Sequence, residues 1–161
     1  MATFKRKRRG AISVELEDWE AHMLRELLGQ MRELLQAEDL KDPVIARLYP
    51  PAYDEAPDAE AYRELIGNDL KNSKLGAIDD VAAKLEGEGG PLKTSLSEDE
   101  FDAWLRVLTD LRLAIGTRLD VTEEMMDREP DPHDPDAPAL SELHWLGWMQ
   151  ESMLRASMGG N

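Results

Sequence analysis

The chain has 161 residues, a net charge of −15 and no cysteine. Its length predicts a single domain over residues 1–161, large enough to bury its own core. A content of 42% hydrophobic and 33% charged residues is typical of a folded soluble protein, not of a disordered one. The lack of cysteine excludes disulfides, thiolate metal sites and a thiol switch within the chain.

Positive charge is concentrated at the start of the chain, within residues 1–10, which we interpret as a basic strand or tail. Its basic residues are Lys5, Arg6, Lys7, Arg8 and Arg9. They are candidates for phosphate contact, and the alternative is a solvated strand without a partner. The rest of the chain is strongly acidic, so its general surface is expected to repel nucleic acid. No apolar signal segment follows the basic run and no stretch is long enough to span a membrane, which predicts a cytoplasmic protein.

The first elements in chain order are a strand pair and a long helix. Alternation over Ile12–Leu16 predicts a half-buried strand, with Phe4–Arg8 as its hairpin partner and a turn at Arg9-Gly10. Asp18 is a candidate N-cap for a helix that runs to about Gln36, because apolar residues follow the three-and-four spacing of a buried helix face.

The middle of the chain predicts a short helix and a second long one. Asp42-Pro43 starts a helical turn, and an apolar stripe indicates a long helix from about Asp58 to Leu85. Gly67 and Gly76 each cost about 1 kcal/mol relative to alanine, so a break near Asn72-Ser73 is considered. A glycine-rich loop over residues 86–91 follows.

The last third predicts one further strand and two helices. Leu92–Leu96 is expected to pair with the N-terminal strand, and Ser97 with Glu100 forms a capping box that starts the third long helix. Residues 127–138 form an acidic, proline-rich loop. A final helix is expected from about Glu142 to Ala156. The predicted fold is therefore mainly α, a single-domain bundle of three to four long helices with a small antiparallel β-sheet.

Polar residues within the third long helix form the most specific candidate set: Asp110, Arg112, Gly116 and Arg118. One interpretation makes Arg112 or Arg118 a fork for a partner's carboxylate. The favoured alternative is a helix ion pair combined with a close helix approach at Gly116.

The last helix is rich in tryptophan and methionine. Trp145, Trp148, Met149 and Met153 are candidates for a partner or homodimer surface. Burial in the core is slightly favoured over that role, because these residue types are as common in cores as at interfaces.

The sequence contains no recognisable motif for a catalytic, metal-binding or nucleotide-binding site. His22, His133 and His144 lack the spacing of a zinc site, and Asp131–Asp136 fails the calcium-loop pattern. No nucleotide-binding loop or nucleophile–base set is present. We therefore predict a protein that is not an enzyme and that has no cofactor, metal or catalytic residues.

Blocks along almost the whole chain resemble one family. They are the basic run with Gly10, Met23–Leu28, Asp42-Pro43 through Arg47–Pro50 with Ala52-Tyr53, Tyr62–Leu65, Asp69-Leu70 with Lys74, Trp104-Leu105, Asp110–Leu119 and Trp145–Gly147 with Gln150-Glu151. In these blocks the chain resembles the AosR family of actinobacterial oxidative stress regulators, formerly a domain of unknown function. The resemblance implies a non-enzymatic regulator of transcription under oxidative stress, with RNA polymerase or a sigma factor as its partner.

Three hypotheses follow for the function. The first is a regulator that acts through a protein partner, suggested by the acidic body and the tryptophan-rich last helix. The second is a regulator that binds DNA directly through the basic N-terminus, although no recognition helix with clustered arginine and asparagine is evident. The third, ranked last, is an enzyme that uses its carboxylates and scattered histidines.

Overall fold

The computed structural model describes residues 1–37, 39, 41–49, 59–87, 89–127 and 131–159, with the backbone alone for residues 59–67. The described strands are β1 (Thr3–Arg6), β2 (Ile12–Leu16) and β3 (Leu92–Leu96). The described helices are α1 (Asp18–Ala37), α2 (Pro43–Leu48), α3 (Ala59–Lys84), α4 (Glu98–Leu119), α5 (Glu123–Asp127) and α6 (Ala137–Ser157). Four long helices and a small sheet confirm the predicted mainly α class. None of the described helices is long and apolar enough to cross a membrane.

The sheet is antiparallel, with β2 between β1 and β3. Phe4 pairs with Val14, and Val14 pairs with Thr94 on the other side, so alternate residues of β2 point into the molecule. Ile12, Val14 and Leu16 are buried on this inner face. The predicted pairing of Leu92–Leu96 with the N-terminal strand is confirmed.

The starts of two helices are set by glutamates three residues into the first turn. The Glu100 carboxylate accepts a hydrogen bond from the Ser97 N–H, and the Ser97 hydroxyl accepts one from the Glu100 N–H, which confirms the predicted capping box. At α1 the Glu20 carboxylate accepts from the Glu17 N–H. Glu17, not Asp18, therefore precedes the helix, which begins at Asp18.

Two helix boundaries differ from the prediction. Helix α3 continues through Asn72 and Ser73, so the break considered there is wrong. Burial of Ile78, Val81 and Leu85 accounts for this, because each buried side chain contributes about 1.5–3 kcal/mol, more than a helical glycine costs.

Helix α6 begins at Ala137, earlier than the expected start near Glu142. Pro138 lies in its first turn, where the missing N–H has no helical acceptor to lose. The acidic segment predicted as a loop to residue 138 therefore ends in a helix, and its residues 128–130 lie outside the described part.

The core is one continuous cluster between the inner face of the sheet and helices α1, α2, α3, α4 and α6. Its fully buried members include Trp104, Leu108, Leu146, Met149 and Met153. Helix α4 is central, since it contacts each of the other long helices and α2.

Candidate functional site

The basic N-terminal residues lie on the β1–β2 hairpin. The Lys7 N–H donates to the Ala11 carbonyl at 2.7 Å and closes the turn. Arg9 and Gly10 both have positive φ values, of 71° and 81°. A Cβ on Gly10 would lie 3.2 Å from the carboxylate of Glu98, an exposed side chain that can shift, so the positive φ is what favours glycine there.

All five basic side chains of the hairpin, Lys5 to Arg9, are exposed. Within the described part of the chain, none of them forms a salt bridge. The structure thus presents five cations on a folded hairpin and not on an unstructured tail.

Asp110 and Arg112 are paired with residues of neighbouring helices. The Lys74 ammonium of α3 lies 3.0 Å from the Asp110 carboxylate, and both side chains are mostly buried. Arg112 Nη1 donates to Gln150 Oε1 of α6 at 2.8 Å. Both residues therefore connect helices within the chain.

The close approach expected at Gly116 lies at Gly147 instead. A Cβ on Gly116 would meet no atom of the described residues within 4 Å, whereas one on Gly147 would lie 3.4 Å from Arg112 Nη2. The guanidinium of Arg112 thus packs against α6 at Gly147. The expectation of a close helix approach at Gly116 was wrong.

Arg118 pairs with a residue at the start of α2. Its Nη2 donates to Asp42 Oδ2 at 2.7 Å, and the Val44 N–H donates to the same carboxylate. The Arg118 hydrogen bond, followed by the Val44 N–H, lowers the pKa of Asp42 below its usual range. Arg118 itself remains half exposed.

Most of the tryptophan- and methionine-rich helix face is buried. Trp145 is 7% exposed, Met149 and Met153 are inaccessible, and Trp148 is partly buried against the core. Trp145 Nε1 donates to the buried Glu20 carboxylate at 2.9 Å. Three of the four residues considered for a partner or dimer surface thus belong to the core of the chain.

A groove opens near the N-terminal end of α6. It has a volume of about 340 Å³ and lies between α1, α2, α4 and α6. Its apolar lining residues are Leu27, Met31, Leu34, Val44, Leu111, Ala114, Ile115, Leu119 and Ala139. Gln30, Arg118 and Glu142 are the polar ones. The exposure of Gln30 and Arg118 marks the side on which the groove meets solvent.

Glu142 differs from the other polar residues of the groove in its electrostatics. Burial, and then the like charge of Glu26, raise the pKa of the Glu142 carboxyl above its usual range. Among the described residues Glu142 has no hydrogen-bond or ion-pair partner. An acidic group therefore lies in an apolar wall without a counter-ion from the described chain.

The sequence does not indicate the groove. Ile115 and Leu119 follow the same helical spacing as Leu108 and Leu111, so periodicity does not separate lining from core. A local sign is Glu142, a carboxylate four positions before the buried Leu146.

The three histidines are not brought together. His22 is exposed beside Glu26, His133 lies in an exposed turn, and His144 Nε2 is buried with no described partner. Within the described ranges, no group of three histidine or acidic side chains is arranged to hold a metal ion.

The comparisons with known proteins agree with one another. A family model described as "Domain of unknown function (DUF2017)" matches residues 1–157. The chain is 30% identical over 132 residues to "Oxidative stress regulator AosR" from Mycobacterium bovis and from Mycobacterium tuberculosis. It is 29% identical to "Putative oxidative stress regulator AosR" from Mycobacterium leprae. Each alignment covers 73% of this chain and 59% of the relative. The chain thus spans under two thirds of these relatives, and no solved structure matches it.

Proposed function

The chain belongs to the DUF2017 family, and we propose that it is a non-enzymatic regulatory protein of an oxidative stress response, acting by binding another protein. The names of the mycobacterial relatives support the regulatory part. They do not name a partner, and the relatives are longer than this chain. The mode of action is therefore argued from the surface of the molecule.

The groove is the observation that carries the protein-binding part. Nine of the twelve described residues that line it are apolar. Five of these are partly exposed: Leu34, Ala114, Ile115, Leu119 and Ala139. Apolar surface that stays in contact with solvent is costly, and in soluble proteins such patches commonly mark binding sites. A groove between helices is a recurring docking site for a helix of a partner.

RNA polymerase or a sigma factor is the partner that we propose, from the sequence resemblance. The test is capture of purified mycobacterial RNA polymerase, with and without sigma factors, on the immobilised chain after nuclease treatment. We expect capture by the wild-type chain and at least tenfold weaker capture by Ile115→Asp, which places a charge in the groove.

Leu154→Asp is the matched control. Leu154 is 47% exposed on α6 and does not line the groove, so the same substitution there is expected to leave capture unchanged. Equal loss in both variants would reject the groove as the binding site. Absence of capture by folded wild-type chain would reject polymerase and sigma factors as the partner.

Direct DNA binding is a second candidate, and the exposed hairpin is the observation that favours it. Five exposed cations on a folded hairpin, with no salt-bridge partner among the described residues, can contact phosphates. Five such contacts predict that the logarithm of the binding constant falls with the logarithm of salt at a slope of about −4.5.

The hairpin test uses a DNA duplex and the triple variant Arg6→Glu, Lys7→Glu and Arg8→Glu. We expect this variant to lose both affinity and salt dependence if the hairpin contacts DNA. Lys93→Glu is the control, since Lys93 is exposed on β3 and pairs with Glu15 at 3.3 Å. A wild-type affinity that does not respond to salt would reject this candidate.

A further inference from the structure

We propose that the groove takes an amphipathic helix of the partner whose apolar stripe is flanked by a basic residue, with Glu142 as the carboxylate that pairs with that residue. The inference rests on the proposed protein-binding function and specifies the chemistry of the partner. It is carried by the shape of the groove, its lining and the distribution of charge around it.

The position of the groove between helices suits a helix laid along it. Its walls come from α1, α2, α4 and α6, and its volume of about 340 Å³ leaves room for apolar side chains. A docked helix would insert apolar residues spaced three and four apart.

The polar residues of the groove indicate which charge the partner carries. Arg118 already pairs with Asp42 at 2.7 Å, so its charge is compensated within the chain. Glu142 has no described counter-ion and lies near the like charge of Glu26. A lysine or arginine beside the apolar stripe would supply the missing cation and offset the repulsion between the two glutamates.

The charge of the whole chain favours the same partner. The net charge is −15 although five basic residues are collected on the hairpin, so the body that holds the groove is more acidic still. Such a surface attracts a basic segment at long range and repels an acidic one. The groove thus combines apolar anchoring with selection by charge.

The experiment uses the full chain and two labelled model peptides. Both carry leucines at helical spacing, with lysines flanking the stripe in one peptide and glutamates in the other. Fluorescence anisotropy is measured with wild type, Glu142→Gln, Glu142→Lys and Ile115→Asp, each checked for folding by circular dichroism.

We expect the lysine peptide to bind wild type at least tenfold more tightly than the glutamate peptide. Glu142→Gln should weaken the lysine peptide about threefold and Glu142→Lys about tenfold or more, while Ile115→Asp should abolish binding. Glu151→Lys is the control, because it changes the net charge by the same amount as Glu142→Lys at an exposed site outside the groove. It should alter the affinity less than twofold.

Three results would overturn the inference: no binding of the lysine peptide, equal binding of both peptides, or an equal effect of Glu151→Lys and Glu142→Lys. The last would indicate general attraction to an acidic protein. If polymerase or sigma capture still depends on Ile115 in any of these cases, the proposed function stands and only the chemistry of the partner is wrong.

Discussion

Two sets of residues on α4 face different environments. Asp110 and Arg112 are tied to neighbouring helices, since Asp110 pairs with Lys74 and Arg112 bonds to Gln150. Leu111, Ala114, Ile115 and Leu119 instead line a solvent-accessible groove with apolar side chains. The first set, the closed part of α4, is held by polar contacts, and the second set, the open part, faces the groove although its side chains are hydrophobic.

The polar residues of α4 stabilise the fold, and some of its apolar residues form the candidate binding surface. Asp110, Arg112 and Arg118 are the residues that a sequence would offer for recognition, and each has a partner inside the chain. Ile115 and Leu119 look like core residues and form part of a candidate binding surface. Polar residues in an apolar helix are therefore weak indicators of function until their partners are known.

Removing the hydrogen bonds that hold the closed part of α4 should produce the largest loss of stability. Gln150 accepts from Arg112 and donates to the Leu105 carbonyl and to Thr109 Oγ1 at 3.1 and 2.7 Å. Gln150→Ala leaves the partly buried guanidinium without a described acceptor, and we expect a loss of about 2 kcal/mol. For a chain of this size the melting temperature should fall by roughly 4–8 °C.

A second substitution distinguishes the loss of the hydrogen bond from the effect of leaving the Arg112 guanidinium without an acceptor. Arg112→Met in the Gln150→Ala background keeps an apolar stem and removes the cation, so part of the stability should return. The measurement is urea unfolding of the two single variants and the double variant. Purely additive losses would show that the charge is not the cause.

Gly116→Ala tests how tightly α4 is packed beside its groove-lining residues. Because a Cβ there meets no atom of the described residues within 4 Å, we expect a gain of about 0.5 kcal/mol from helix propensity, reduced by the nearby helix end. The same change at Gly147 places a methyl group against Arg112 and should gain less. A loss of stability in Gly116→Ala would contradict this geometry and indicate a close helix approach at Gly116.

The Lys74–Asp110 pair should contribute less than the Gln150 network. About a fifth of each side chain remains exposed, and partly exposed pairs between helices are worth about 0.5 kcal/mol. Lys74→Met should therefore lower the free energy of unfolding by that amount at low salt. The difference from wild type should shrink at high salt, and an unchanged difference would point to packing as its source.

The smallest effect is expected at the pair that borders the groove. The pKa of Asp42 is lowered in the folded state, so its contribution is present above the unfolded carboxylate pKa, about 3.9. It is lost as pH falls through the lowered folded value. Asp42→Asn should therefore melt below wild type at pH 7 and approach it as the pH falls below the unfolded carboxylate pKa, as measured by thermal unfolding across pH. A constant gap would contradict the Arg118 pairing.

Local signals in the sequence predict the local features of this fold. The alternation of Ile12–Leu16, the Arg9-Gly10 turn and the Ser97–Glu100 capping box each depend on neighbours within a few positions. The break near Asn72-Ser73 was wrong because propensity was weighed without the burial of residues further along α3.

The groove could not be predicted from the sequence, because it depends on how far α1 and α4 separate. Met31 and Ile115 are more than eighty positions apart and meet only through the packing of the other helices. Likewise, the partners of Asp110 and Arg112 come from α3 and α6, and no spacing within α4 indicates them.

The position of the basic hairpin has a consequence for colloidal behaviour. Strand β1 is one of the two outer strands of the described sheet, and Lys5 and Arg6 lie on it. Charged side chains on an outer strand discourage edge-to-edge pairing between molecules, which is the first step of β-aggregation. Neutralising the hairpin with apolar residues would therefore lower solubility whatever the hairpin binds, whereas glutamates would still keep neighbouring molecules apart.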